Sequence, residues 1–211
     1  MRKARFERIF IALPALGLLL VLAPARSTQA QPKTAAGQSA VAARRIERGK
    51  YLVTIMSCND CHTPFKMGPQ GPEPDMSRML SGHPEQMKMP PPPKLAGPWI
   101  GAYAATNTAY AGPWGISYTS NLTPDQNTGL GIWTEDMFLK AMRTGKHMAT
   151  SREIQPPMPW QWVGKATDED LKAIFAYLRS IPPIVNHVPD YEPPSGAPPA
   201  PPAKGAAPKK K

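Results

Sequence analysis

Three stretches of the chain place apolar residues at helical spacing, and the segments between them have no sustained period. In the first, Gly49, Leu52, Val53 and Met56 recur at i, i+3, i+4 and i+7, with Arg44, Arg45, Glu47 and Arg48 largely off that stripe. This predicts a helix from Ala42 to Met56. A glycine inside the stripe costs roughly 1 kcal/mol of helix propensity relative to alanine, so Gly49 predicts the close approach of a second helix. The last stretch supplies one. Thr167-Asp168-Glu169-Asp170 has the form of a capping box, with Asp170 in place of the usual glutamate. Leu171, Ile174, Phe175 and Leu178 then repeat the spacing until Pro182-Pro183 stops the helix. Tyr177 and its neighbours are the residues expected across Gly49. Between these two, Thr134 caps a third helix, Glu135 and Asp136 fill its first turn where the dipole favours acids, and Gly145 ends it. Met137, Phe138, Ala141 and Met142 make its apolar face.

No run alternates with period two over six residues, so the chain reads as all-α, with no sheet. Residues 64–119 are rich in Pro, Gly and Met and include Pro90-Pro91-Pro92-Pro93. They predict an ordered but irregular excursion wrapped over the core. Beyond Asn186 the composition turns to Pro, Ala, Gly and finally Lys, which predicts an extended, linker-like tail. The expected organisation is a targeting segment over 1–30, a linker over 31–41, a folded domain over 42–188 with 64–119 as its insertion, and a Pro-rich basic tail over 189–211.

The first thirty residues carry an address. Arg2, Lys3, Arg5 and Arg8 precede an apolar run from Ile9 to Ala25, broken by Pro14 and Gly17, and Thr28-Gln29-Ala30 resembles an export cleavage site. The run is shorter than the ~20 residues a spanning helix needs, which favours a cleaved signal peptide over an uncleaved membrane anchor. Both readings put the remainder of the chain across a membrane, in a periplasm-like or extracellular space.

The formal charge of +10 raises the question of a nucleic-acid partner. Its distribution answers it. Residues 1–30 hold a net +4 and Lys204, Lys209, Lys210 and Lys211 hold another +4, which leaves sixteen basic and fourteen acidic residues on 31–203. A nucleic-acid reader carries its basic stripe on the folded part; here that part is nearly balanced, so DNA and RNA are set aside. The terminal lysines instead suit an acidic partner or a membrane surface, an attraction that salt screens.

The two cysteines, Cys58 and Cys61, stand in Ser57-Cys58-Asn59-Asp60-Cys61-His62. Such a pair serves a redox disulfide, half a zinc site, or two thioether bonds to one heme. The redox reading requires strand–helix alternation of thioredoxin type, and structural zinc requires a second pair of ligands that no further cysteine can supply. Covalent heme accounts for the adjacent His62 as proximal iron ligand and for an exported chain with no other cysteine to scramble the pair. The carbonyl that orients the His62 ring is left to positional candidates, Pro69, Pro72 and Pro74.

A second axial ligand decides between an electron carrier and an open, reactive iron. Met158 lies in Gln155-Pro156-Pro157-Met158-Pro159-Trp160, a proline-flanked loop ahead of the last helix. Prolines fix the backbone and suit a weak thioether ligand that must be held in place. Met148, His83, His147 and His187 are the other candidates, and Met158 packing under Trp160 is the purely structural reading. Without Met158 as a ligand, the chain would be a five-coordinate heme sensor or a heme enzyme. A diheme peroxidase would need a second Cys-x-x-Cys-His, and Asp168, Glu169 and Asp170 read as helix-start acids rather than catalytic carboxylates.

The order of these features resembles a class I c-type cytochrome: a helix with Arg48-Gly49-Lys50-Tyr51-Leu52, then Cys58 to His62, a methionine loop and a closing helix. More narrowly, Ser120-Asn121-Leu122-Thr123-Pro124-Asp125, Thr128-Gly129-Leu130-Gly131-Ile132-Trp133-Thr134, Pro157-Met158-Pro159-Trp160 and Asp168-Glu169-Asp170-Leu171-Lys172-Ala173-Ile174 are similar to bacterial periplasmic cytochromes. These include the heme subunits of membrane-bound alcohol and sugar dehydrogenases. The resemblance covers roughly 42–190. It implies few helices around one covalently bound heme c, the first and last helices crossing, Cys58 and Cys61 as thioether sites, His62 as proximal and Met158 as distal iron ligand. The implied role is one-electron transfer, not catalysis, between a periplasmic or membrane-bound dehydrogenase and a terminal oxidase or another cytochrome. Dehydrogenase subunits of that kind carry three such domains, whereas this chain has one heme motif.

Overall fold

The computed structural model describes residues 35–149 and 151–194. In chain order its elements are α1 (Ala35–Ile55), α2 (Cys58–His62), β1 (Phe65–Gly68), β2 (Gly71–Pro74), β3 (Ala102–Tyr103), β4 (Ala109–Gly112), β5 (Gly115–Tyr118), α3 (Glu135–Thr144), α4 (Trp160–Val163) and α5 (Asp168–Leu178). The targeting segment expected over 1–30 lies outside the described residues. The linker expected up to residue 41 is helical from Ala35 onward. Residues 35–43 are rich in alanine, the strongest helix former, and need no buried stripe to join α1.

The two terminal helices form the centre of the core. A Cβ added at Gly49 would lie 1.9 Å from the Ala173 carbonyl oxygen and 2.8 Å from Tyr177 Cβ, so α1 and α5 touch backbone to backbone where the sequence anticipated it. Leu52 and Val53 of α1 are buried there with Leu171, Ile174, Phe175 and Leu178 of α5. At the rim, Arg48 donates from Nε and Nη2 to the two Asp170 carboxylate oxygens at 2.9 and 3.2 Å. The pair is solvent-exposed, so water screens it and packing at Gly49, not this bridge, holds the helices together. Thr167 caps α5 by accepting from the Asp170 amide at 3.1 Å. α3 packs across with Phe138, Ala141 and Met142 buried, the Phe138 ring 5.4 Å from that of Phe175. Met137, expected on this face, is only half-buried, and Leu139 packs against the core instead.

The insertion corrects the expectation of a purely helical chain. It folds into two small antiparallel sheets, β1–β2 and β3–β4–β5. β1 and β2 form a hairpin in register from Phe65↔Pro74 to Gly68↔Gly71, with Gly71 at φ +120°. β4 and β5 run from Ala109↔Tyr118 to Gly112↔Gly115. These strands are two to four residues long, too short for alternation over six residues to appear.

Nor does the chain leave the fold after Val188. Glu192 exchanges both backbone hydrogen bonds with Ile116 of β5 at 2.8 and 3.0 Å, and its carboxylate accepts from the Tyr118 hydroxyl at 2.5 Å. Asn186 is fully buried. Its Nδ2 donates to the Ser81 and His83 carbonyls at 2.7 and 2.8 Å, and its Oδ1 accepts from Arg78 and from the Glu85 amide at 3.0 and 3.1 Å. Asn186, inside the expected domain, thus ties the chain after α5 to the insertion, and Glu192, read as part of a free tail, pairs with β5. Residues 195–211 of that tail lie outside the description.

Gly49→Ala places a methyl group inside the Ala173 peptide. Its gain of roughly 1 kcal/mol in helix propensity is smaller than the clash, and the net destabilisation is about 1–3 kcal/mol. The measurement is the guanidinium unfolding midpoint, which falls relative to the wild type; Ala43→Gly, on the exposed part of α1, loses no more than about 1 kcal/mol.

Candidate functional site

The short helix α2 presents Cys58 and Cys61 three residues apart, one turn of the same face, with His62 directly after. Ser57 enters it in the left-handed conformation at φ 56°, a sharp reversal out of α1. The cysteines are free thiols. Burial pushes the Cys58 thiol up to about 11, the opposite of the depressed value that makes a dithiol motif reactive in disulfide exchange. Among the described residues no three His, Cys, Asp or Glu side chains converge as a metal cage.

His62 is buried, and its Nδ1 lies 2.8 Å from the Ser120 carbonyl oxygen. A carbonyl only accepts, so Nδ1 carries the proton and Nε2 keeps the lone pair. Burial lowers the imidazole's proton affinity, which keeps it neutral, as a metal ligand must be. The orienting carbonyl is thus that of Ser120, and not Pro69, Pro72 or Pro74. It lies far along the chain because the excursion returns to the motif before α3.

What holds Ser120 in place is the turn that follows it. Asn121 Oδ1 accepts from the Thr123 amide and hydroxyl at 3.0 and 2.7 Å, while its Nδ2 donates to the Ile184 carbonyl at 2.8 Å. Asp125 accepts from the Thr128 amide and hydroxyl at 2.8 and 2.6 Å, and these bonds hold its carboxyl below the usual range. The motifs around 120–134 therefore build a support for the histidine. Their Asn, Thr and Asp spacing is that of side chains bonding their own backbone two or three residues on, a signal readable without a structure.

The insertion also grips α2 directly. Asn107 donates to the Asp60 carbonyl at 2.7 Å and accepts the Tyr110 hydroxyl at its own carbonyl at 2.7 Å, with that hydroxyl 3.2 Å from Cys61 Sγ. Thr63 donates to Asn59 Oδ1 at 2.9 Å and accepts from the Leu80 amide at 2.9 Å.

Met158 is half-buried and packs against the same hydrophobic cluster as Cys58. Its loop is fixed on both sides. The Ser117 hydroxyl of β5 donates to the Pro156 carbonyl at 2.5 Å, and the Trp160 ring lies over Gly145, where a Cβ would meet it at 2.4 Å. β5 and the residues after it thus hold both the methionine loop, at Ser117, and the histidine, at Ser120. Of the other distal candidates, His83 has both ring nitrogens engaged, Nδ1 with Thr108 Oγ1 at 2.9 Å and Nε2 with the Met87 carbonyl at 3.1 Å. His147 stands edge-on to Trp133 at 5.1 Å, His187 is exposed, and Met148 sits in a short 3-10 turn at φ 49°.

The donor set suits a covalently bound heme: a free thiol pair on one helical turn and an adjacent buried imidazole with its tautomer already fixed. Comparison with known proteins points the same way. The cytochrome c family model matches residues 46–182. The chain is 29% identical over 175 residues to a nicotinate dehydrogenase subunit of Pseudomonas putida, covering 83% of this chain and 12% of that protein. It is 35% identical over 133 residues to the gluconate 2-dehydrogenase cytochrome c subunit of Pantoea cypripedii, covering 63% and 22%. It is 28% identical over 135 residues to the fructose dehydrogenase cytochrome subunit of Gluconobacter japonicus, covering 64% and 21%. The matched region thus spans between 12% and 22% of these relatives' lengths.

Two histidines outside α2, the buried His83 and the half-buried His147, predict an acid-labile fold. Burial, with Arg152 adding repulsion, depresses His147 to about 4, and burial also lowers His83. An unfolded histidine titrates near 6.5, so below that value the unfolded chain binds the extra protons and stability falls as pH drops towards 4. The carboxyls held low, Asp75 by Ser77, Asp125 by Thr128 and Asp170 by Arg48, add their loss only below about 4. Guanidinium midpoints measured between pH 7 and 4 decline, and His147→Gln makes the decline shallower. An unchanged slope in that variant would exclude His147 as a contributor.

Proposed function

The chain belongs to the cytochrome c family, and on that premise we propose that it is a periplasmic one-electron carrier, receiving electrons from a dehydrogenase and passing them to a respiratory acceptor such as a terminal oxidase or another cytochrome. Family membership makes the cofactor a covalently attached heme c, whose iron supplies the exchange of one electron between ferric and ferrous states. The observation that carries the reading is the buried His62, proton-locked on Ser120, beside the free thiols of Cys58 and Cys61. In this reading both cysteines attach the heme, His62 is the proximal ligand and Met158 the distal one. Two protein ligands leave the metal without an open site, which favours carriage over small-molecule catalysis.

Several observations support the individual parts. The meeting of α1 and α5 at Gly49 supports the class I arrangement of crossed terminal helices. The anchoring of the Pro156–Trp160 loop on Ser117 and Gly145 supports Met158, because a weak thioether ligand depends on a backbone fixed beforehand. The dehydrogenase names of the relatives support a dehydrogenase as donor. The basic–apolar pattern of residues 1–30 supports export to the periplasm. Among the described residues no helix is long and apolar enough to cross a membrane. The lysines at 204 and 209–211 would add a salt-screened attraction to an acidic partner or an anionic membrane surface.

Met158→Ala in the holoprotein removes the weak far-red sulfur-to-iron absorption, opens the iron to carbon monoxide and lowers the potential by on the order of 100 mV, within the range axial ligands command. Met148→Ala leaves all three unchanged. Native protein that already binds carbon monoxide rapidly would replace the carrier with a five-coordinate sensor or enzyme. Cys58→Ala and Cys61→Ala each lower the yield of covalently attached heme, read as pigment surviving acid–acetone extraction.

A further inference from the structure

The insertion carries an exposed apolar face that the site does not use. An open groove of about 520 Å³ runs between Pro92-Pro93, Leu95, Trp99 and Ile100 on one side and the β3–β4 sheet on the other. Trp99 is 75% exposed, Ile100 71% and Tyr103 of β3 72%. Large apolar residues so close together on a surface mark a contact site more often than chance. Between residues 86 and 124 the chain holds Lys88 and Lys94 and no aspartate or glutamate. Glu192, brought alongside by its pairing with Ile116, has its carboxylate engaged by the Tyr118 hydroxyl. Asp60 lies at the inner end, near Tyr110.

This face is continuous with the heme-binding turn. Tyr103 pairs with Tyr110 across β3 and β4, their rings 6.4 Å apart, and the Tyr110 hydroxyl sits 3.2 Å from Cys61 Sγ. One pair of packed aromatic rings therefore separates the outer surface from the cysteine.

We propose that the face formed by Trp99, Ile100 and Tyr103, with the exposed Lys88 and Lys94 in the chain segment that borders it, is the docking surface for a redox protein that presents an apolar centre within an acidic rim. The inference rests on the carrier reading above. An apolar, basic face also suits an anionic lipid surface, but a lipid has no use for the Tyr103–Tyr110 contact with Cys61, whereas an electron-transfer partner needs a short packed path. In the transfer the donor protein is oxidised by one electron and this chain is reduced by one. No bond forms or breaks, and the tyrosines serve as packed medium.

The test is stopped-flow reduction of the full-length ferric holoprotein by two probes: reduced flavodoxin, an acidic one-electron donor, and a neutral hydroquinone. Lys88→Glu combined with Lys94→Glu lowers the flavodoxin rate constant roughly tenfold at low ionic strength, and the difference closes at high salt. Trp99→Ser lowers that rate about threefold or more at every salt concentration, as loss of a buried aromatic anchor does. Both variants keep the wild-type rate with hydroquinone and the wild-type heme spectrum, which shows that fold and site are intact. Wild-type flavodoxin rates in these variants, or a larger loss from Lys50→Glu combined with Lys165→Glu on the helical side, overturn the proposal. So does Trp99→Ser abolishing binding to phosphatidylglycerol vesicles while the flavodoxin rate stands, because the face then belongs to a membrane. A wild-type protein that takes no electron even from hydroquinone overturns the carrier reading itself and this inference with it.

Discussion

A buried imidazole has two nitrogens and one proton, and the bond from His62 to the Ser120 carbonyl decides which nitrogen keeps it. Most of the architecture serves that bond. The carbonyl must stay where it is, and the turn after it ensures this with the Asn121–Thr123 and Asp125–Thr128 bonds. Asn121 passes the constraint on to Ile184, and Asn186 passes it to Ser81 and His83. A buried polar group left without a partner costs about 1–3 kcal/mol, so each link in this chain is held by the next.

The insertion is then better understood as a buttress than as an excursion. Its sheets grip α2 through Asn107 and Tyr110, and β5 with its continuation steadies the methionine loop through Ser117 and the histidine through Ser120. The two expected axial ligands, His62 and Met158, stand far apart in the sequence. A short segment at the end of the insertion holds both.

Local spacing foretold much of this, and the failures have identifiable causes. α1, α3 and α5 were legible because each has an apolar stripe, joined in α3 and α5 by a cap, and Gly49 was legible because a glycine in a stripe needs a neighbour to justify it. The covalent heme was legible in the Cys58-to-His62 motif because the chain has no other cysteine. Ser120 was not, since a backbone carbonyl leaves no mark in residue identity; only the Asn, Thr and Asp that follow betray a built turn. The sheets escaped because strands of two to four residues lie below the window in which alternation can be seen. Glu192 escaped because the surrounding Pro, Ala and Gly read as linker, although one residue in extended backbone is enough to pair with Ile116.

The seam between α1 and α5 has a kinetic corollary. Arg48 and Asp170, which face each other across it, are 122 residues apart, so closing the loop costs roughly 4 kcal/mol of chain entropy before any packing is gained. A fold whose central contact joins such distant segments meets that entropy cost before packing offsets it, and folds more slowly than one built from local contacts. Until the seam closes, α1 has no partner for the flat face at Gly49, and the cluster against which Cys58 packs is incomplete. The Cys58 thiol is accordingly more open to chemistry before the seam closes than after it.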